Sequence, residues 1–408
     1  MTENLCKVSS EKILPLHDFG KQPLGNGFLS KKDFSKEYFF DMSIGFSKKS
    51  LLLQLLKQPN LDEMFHGEYA FFSSTSNGMK KHFRRFADEI LNSKYLSKDD
   101  PFVIELGCND GILIENFASK NIRHLGIEPS LNVAEVARSK GINIISEFFT
   151  EKLSSEIISK YNKADVFMAA NVMCHIPSLV DVIKGIKLLL KPSGVVIFED
   201  PYLGDVINKN SYDQFYDEHV FIFSALAIEK VFSSFNMELI DLAPQTTHGG
   251  SMRYYLAHKG FYEKSENVQE IINQELALGL NKEITFNKFS ENVKKSRNDL
   301  IQLLTKLKKE GKTIAGYAAT SKSTTILNYC GIGPDIIDYI TDTTPIKQNK
   351  FSPGMHIPIF DYEYFKNNPP DYAILFAWNH SKEIMEKEED FMNSGGKWIT
   401  HVPEVRIL

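Results

Sequence analysis

Apolar positions follow one texture up to about residue 100 and another after it. From residue 102, short apolar runs at 102–106, 124–127, 164–169 and 194–199 read as buried strands, and the segments near 113–120, 131–140 and 179–190 carry the three-to-four spacing of helices. Strand and helix in alternation predict a parallel sheet with crossover helices, the order of a doubly wound nucleotide-binding fold. Runs at 237–242 and 252–258 add an antiparallel edge. Before this block, Pro15, Gly20, Pro23, Gly25 and Gly27 punctuate a stretch expected to be irregular; 50–57 is a short helix or strand. Phe83, Phe86, Ile90 and Leu91 predict an amphipathic helix over 79–96. Residues 262–309 are charge-rich with few Gly or Pro and read as one or two long helices. Strand signals return at 313–317, 336–341, 372–376 and 397–401. The expected organisation is an N-terminal module (1–96), an α/β core (97–260), a helical arm (261–310) and a second Rossmann-like domain (311–408).

Composition changes this picture little. Of 408 residues, 42% are hydrophobic and 24% charged, as in ordinary globular proteins, and a net charge of −5 argues against a chain-wide grip on nucleic acid or anionic lipid. No run approaches the ~18 apolar residues of a spanning helix, and residues 1–10 hold no apolar segment ahead of a cleavage site, so a cytoplasmic protein is expected. The 4 cysteines, Cys6, Cys108, Cys174 and Cys330, are scattered without a CxxC and suggest neither disulfides nor a cysteine zinc cage. Nothing in the pattern decides the oligomeric state.

The sharpest chemical signal is the strand-turn-helix at 103–111, with Glu105, Gly107, Asn109 and Gly111. Glycine lets the backbone turn tightly and approach a ligand. The spacing is GxxxG, unlike the GxGxxG that cradles a pyrophosphate, and an acid precedes the first glycine. Carboxylates here suit S-adenosylmethionine, which brings a sulfonium and an α-amino group but no phosphate. Glu128, before Pro129 at the end of the next strand, is placed to accept hydrogen bonds from ribose hydroxyls, and the loop at Asn171, ending the third predicted strand, is expected to line the adenine or methyl side. A plain strand-turn-helix corner with a solvated acid is the alternative.

Three clusters follow on the acceptor side. Residues 171–177 contain His175; residues 213–219 contain Tyr216, Glu218 and His219, a base near neutral pH among hydrogen-bonding partners. Residues 248–253, with His248, Gly249, Gly250, Ser251 and Arg253, offer small residues for close approach and a cation for an anionic group. In the last domain, residues 316–322 form a strand-to-helix turn whose amides and Lys322 fit a phosphate, or equally a lid or interface. Lys347 and Lys350 read as solvated.

Taken in order, residues 105–111, 198–202, 215–219 and 248–253, with Pro23-Leu24, Gln54-Leu55, 311–331 and 353–359, resemble the S-adenosylmethionine-dependent sugar C-methyltransferases, typified by the enzyme making D-tetronitrose. The resemblance implies a class I methyltransferase Rossmann-like core and methyl transfer to C3 of a nucleotide-linked 4-keto-deoxysugar. His219 matches the family's base; Tyr216, Glu218 and His175 match positions that anchor the sugar or assist proton movement. Tyr69 matches a tyrosine closing over the site, and Phe71 stands where a second tyrosine is usual. The family's N-terminal module holds a zinc through two CxxC pairs; here those positions are Cys6, Ser9, Ser47 and Ser50, so no metal is expected. Two other readings stay open: O- or N-methylation of a small polar acceptor, and a non-catalytic nucleotide-sugar binding protein.

Overall fold

The computed structural model describes residues 4–60, 64, 73–75 and 77–408. Tyr69 and Phe71 lie outside the described residues. The N-terminal stretch expected to be irregular instead builds an antiparallel sheet from β1 (Leu14–Pro23), β2 (Phe39–Phe46) and β3 (Leu53–Leu55). The helix Asn77–Leu91 follows, burying Phe83, Phe86, Ala87 and Ile90 on one face.

The core sheet is formed by β4 (Phe102–Leu106), β5 (Arg123–Ile127), β6 (Ile144–Ile145), β7 (Ala164–Ala170) and β8 (Leu190–Pro201), all parallel. After the two-residue β9 (Phe221–Ile222), the antiparallel pair β10 (Met237–Gln245) and β11 (Ser251–His258) closes one edge, giving the order β10-β11-β8-β7-β4-β5-β6. β4 is buried along its whole length, as a central parallel strand must be. The strand order reverses at β4, so the crevice beyond β4 and β7 is where such a sheet holds a ligand. The predicted helix at 113–120 contracts to Glu115–Ala118, and Glu151–Tyr161 is a helix not foreseen, capped by Thr150 Oγ1 accepting Leu153 N–H.

β9 belongs to the other sheet: it pairs with β3, completing the order β1-β2-β3-β9 and tying the N-terminal module to the segment just after His219. The arm is two helices, Glu266–Leu278 and Glu283–Lys309; the second, about 40 Å long at 1.5 Å per residue, buries Phe286, Phe289, Val293, Leu300, Leu304 and Leu307. The last domain is a second doubly wound sheet, β12 (Ile314–Tyr317), β13 (Tyr339–Thr341), β14 (Ile359–Phe360), β15 (Tyr372–Leu375), β16 (Lys397–Thr400) and β17 (Arg406–Ile407), in the order β14-β13-β12-β15-β16-β17. Among the described residues, no helix is long and apolar enough to cross a membrane.

Candidate active site

The turn after β4 is built as a ligand cradle. Gly107 has φ +65°, and a Cβ there would stand 2.3 Å from Val172 Cγ2; Gly111 has φ +84°, and its Cβ would meet Ile142 Cδ1 at 2.2 Å. Between them Asn109, also left-handed, donates its backbone N–H to Glu128 Oε2 at 3.0 Å and accepts from Ser73 N–H at its side-chain oxygen, 3.1 Å. Glu128 Oε1 accepts the Ser130 N–H at 2.8 Å across Pro129. Each Glu128 oxygen thus faces one amide and keeps a lone pair for a hydroxyl donor. Glu105 is buried and its Oε2 makes no hydrogen bond among the described residues; burial drives its pKa well above the usual carboxyl range. A cation set beside that oxygen would satisfy it. Asn171 takes a left-handed conformation at the end of β7 and donates its N–H to Glu199 C=O at 2.6 Å, turning the chain toward His175.

The acceptor side converges on His219, which is 4% exposed. Its Nδ1 lies 2.6 Å from Gln214 C=O, which can only accept, so Nδ1 carries the proton and Nε2 the lone pair. Nε2 accepts the Tyr216 hydroxyl at 2.7 Å, and the His175 ring faces His219 at 5.3 Å between centroids. Burial, then His175, holds His219 well below its ordinary pKa, and burial takes His175 to about 3. Both imidazoles are neutral at physiological pH, the form a general base requires. Burial pushes the Tyr216 phenol up, keeping it a donor. The N-terminal module reaches this loop: Gly25 N–H donates to Asp217 Oδ1 at 2.7 Å, and Asn26 Nδ2 to Glu218 Oε1 at 2.9 Å. Burial and the neighbouring Glu218 raise Asp217 to about 8. Asp200, buried where β8 ends, accepts Cys174 N–H at 3.2 Å and is raised to about 8 by burial.

The third cluster requires corrections. Arg253, expected to meet an anionic group, is 1% exposed; its guanidinium bonds Glu199 Oε2 at 2.9 and 3.1 Å, pairs with Glu89 and stacks 3.7 Å over Phe86. Its charge is committed to joining β11, β8 and the helix Asn77–Leu91, whose His82 also meets Glu199, at 2.8 Å. Packing alone requires glycine at both positions, since a Cβ on Gly249 would strike Trp378 at 2.3 Å and one on Gly250 would strike Asp205 at 2.2 Å. Ser251, fully buried, spends its hydroxyl on Thr247 C=O. His248, with φ +54°, has its carbonyl gripped by Gln214 Nε2 (2.6 Å) and Lys322 Nζ (2.9 Å), and its ring is taken to about 4 by burial and Lys322. Lys322 also lies 5.0 Å over the Trp378 ring, so this cation belongs to the interdomain seam. Lys347, read as solvated, is tucked in, bonding Ala319 C=O at 2.7 Å. Sequence reasoning assigned no role to Asp213, Gln214 or Asp217, although they flank the quoted histidine; adjacency alone does not show which backbone carbonyl meets an imidazole.

Comparison with known proteins gives the family. The description "Methyltransferase domain" matches residues 79–242, "C-methyltransferase C-terminal domain" 246–403 and "Putative zinc binding domain" 5–65. The C-methyltransferase NovU of Streptomyces niveus is 30% identical over 406 residues, 99% of this chain and 96% of NovU. The chain belongs to the C-methyltransferase family. A ubiquinone biosynthesis O-methyltransferase of Serratia proteamaculans is 22% identical, over 52% of this chain and 77% of its own. A solved S-adenosylmethionine-dependent methyltransferase of Anabaena variabilis covers 50% of this chain and 98% of its own, at 18% identity and TM-score 0.37. This C-methyltransferase takes its methyl group from S-adenosylmethionine, whose cation and ribose suit the unpaired Glu105 oxygen and Glu128.

A zinc, by contrast, does not fit. The four corresponding side chains do converge: Cys6 Sγ lies 3.2 Å from Ser50 Oγ, and Ser9 Oγ 3.5 Å from Ser47 Oγ. They supply one thiol and three hydroxyls that stay protonated at neutral pH, a poor donor set for this metal.

Proposed function

We propose that this C-methyltransferase methylates C3 of a nucleotide-linked 4-keto-deoxysugar serving a cytoplasmic pathway to a surface polysaccharide or similar glycoconjugate. The observation that carries the reading is the fixed tautomer of His219: Gln214 C=O holds Nδ1–H, so Nε2 is the base, buried, neutral and beside the Tyr216 hydroxyl. A C4 ketone acidifies the C3 proton, and Nε2 removes it while Tyr216, always protonated, turns its O–H from His219 toward the developing oxyanion. Glu218, oriented by Asn26, holds a sugar hydroxyl beside the base, and His175 shields it from water. The bound S-adenosylmethionine supplies an electrophilic methyl; the protein's part is to align the enolate carbon with it.

The test is incubation with labelled S-adenosylmethionine and a panel of nucleotide 4-keto sugars in heavy water, following deuterium entry at C3 and the methyl resonance of the product. His219→Ala is expected to lose both by at least a hundredfold while methyl donor binding persists in calorimetry. Full turnover in that variant, or a methyl found on oxygen, overturns the reading.

A further inference from the structure

In a doubly wound fold the carboxyl ends of the central strands are where a ligand is held. In the second such sheet of this chain, that edge is occupied by the catalytic loop of the first. Directly after β16, His401 Nε2 lies 3.3 Å from Asp213 Oδ2; beyond β15, Trp378 Nε1 donates to the same oxygen at 2.6 Å. From the helix that follows β12, Thr325 Oγ1 donates to Phe215 C=O at 2.7 Å. Asp213 and His401 are both fully buried. We propose that the C-terminal domain acts in catalysis as a clamp, with Asp213, held by the Trp378 N–H and flanked by His401, as the positioning residue that sets the Gln214 carbonyl and through it the orientation of His219.

The covalent adjacency is what makes the clamp effective. Asp213 precedes Gln214, whose carbonyl lies 2.6 Å from His219 Nδ1, so a shift of the carboxylate moves the acceptor that selects the base's tautomer. Burial alone would raise the Asp213 carboxyl, but His401, Lys322 and the Trp378 N–H outweigh it and hold it below its ordinary range, consistent with an anion at the seam. The grip is two-sided. Thr324 Oγ1, one residue before Thr325, bonds Gly25 C=O at 2.9 Å, and Gly25 N–H in turn holds Asp217, so the loop is fixed at 213 and 215 by one domain and at 217 by another. Anchoring alternate residues leaves the backbone between them little freedom to rotate. A displacement of about 1 Å at a reacting group costs on the order of a hundredfold in rate, so the clamp's effect should be visible in kcat.

This proposal rests on His219 being the base, and its test reads His219 directly. The full chain, with histidine rings carbon-labelled, is titrated by NMR; the His219 signal is identified by its loss in His219→Gln. The groups facing that ring are Cys174, His175, Tyr216, His248, Glu218 and Lys322, and none is altered. Trp378→Phe removes the donor to Asp213 but keeps a ring, and Thr325→Val removes the hydroxyl at nearly constant shape, with Thr325→Ser as the rescue. The Gln214 C=O bond favours Nδ1–H and raises the His219 pKa. In Trp378→Phe and Thr325→Val, where that carbonyl is displaced, we therefore expect the ring-carbon shifts to move toward a mixture of the two neutral tautomers and the pKa to fall. We also expect kcat to fall on the order of tenfold to a hundredfold, with the KM for S-adenosylmethionine within about twofold and Thr325→Ser matching the parent. Unmoved His219 ring-carbon shifts and titration in both variants overturn the clamp, even if kcat falls, because a loss of stability alone would do that. If the parent enzyme turns over no nucleotide keto sugar yet the His219 signal moves as expected, the clamp stands and the acceptor assignment fails.

Discussion

Glu105 and Arg253 are both buried and charged by nature, and they solve the problem in opposite ways. Glu105 has no hydrogen-bond partner on its second oxygen among the described residues, and burial raises its pKa well above the usual range, favouring the protonated form. When a cation binds beside it, the carboxylate becomes the favoured form and a proton leaves. Affinity for S-adenosylmethionine should therefore strengthen as pH rises toward the raised Glu105 pKa and level off above it. Calorimetry in buffers of different ionisation enthalpy should register proton release that vanishes in Glu105→Gln, together with roughly tenfold weaker binding, as befits a charged hydrogen bond; identical proton release in that variant would sink the idea. Arg253 is neutralised within the fold by Glu199, itself held at about 2, with burial opposing but His82 and Arg253 prevailing. Arg253→Ala strands a buried carboxylate and should cost about 3–5 kcal/mol in denaturant unfolding; a cost below ~1 kcal/mol would mean the pair is not structural. The residue types in these clusters were legible in the sequence, but partners were not. Arg253 and Glu89 are 164 positions apart, and nothing local distinguishes an arginine that meets a substrate from one that closes a core.

Elements were legible where hydrophobic pattern and burial agree. Phe102–Leu106 is apolar except for Glu105 because it is buried on both faces, and the arm's 27-residue helix shows its stripe plainly. β1 was obscured by Pro15, Gly20 and Pro23, yet it is a strand because it lies at the sheet edge, with register shifts at 15/17 and 18/20 that absorb the prolines and glycine. The two turns at the base of that sheet carry the element-scale prediction. Each places a left-handed residue after its second ligand position, Ser10 at φ +56° and Leu51 at φ +59°, and closes with backbone bonds, Ser10 N–H to Cys6 C=O and Leu51 N–H to Ser47 C=O. Hydrogen bonds among Cys6, Ser9, Ser47 and Ser50 take the place of coordination. Metal analysis should find well under one zinc per chain, and a chelator should leave the thermal midpoint unchanged. Combining Ser9→Cys, Ser47→Cys and Ser50→Cys should create stoichiometric zinc binding, because the backbone already has the required form. One tightly held zinc in the parent protein would refute this account.

At the scale of the molecule, the division into modules along the chain does not carry over to the interior. One apolar core contains Met42 and Ile44 of the N-terminal sheet, Phe215 of the 213–219 loop, Phe289 and Val293 of the arm, and Ile314 and Ile340 of the last domain. Such contacts join residues hundreds of positions apart, which is why no local pattern announced them. His17 sits at their junction: its Nδ1 meets Ser290 Oγ at 2.8 Å and its Nε2 the Tyr329 hydroxyl at 2.9 Å, linking sheet, arm and C-terminal domain. Burial, with Lys294, lowers its pKa to about 4, against about 6.5 in the unfolded chain. A depressed histidine favours the fold fully above pH 6.5, and that contribution is lost as pH falls from 6.5 toward 4, at up to ~1.4 kcal/mol per pH unit. A protonated ring donates from both nitrogens, which the Ser290 and Tyr329 hydroxyls can accept, so the cost of protonation is that of placing a charge in the buried junction between the three modules. His17→Gln cannot charge, so its unfolding free energy between pH 6.5 and 5 should fall less steeply than the parent's, by roughly 2 kcal/mol over that interval. The buried histidines of the active site contribute equally to both proteins and cancel in the comparison. Parallel slopes would place the acid sensitivity of the fold elsewhere than at this junction.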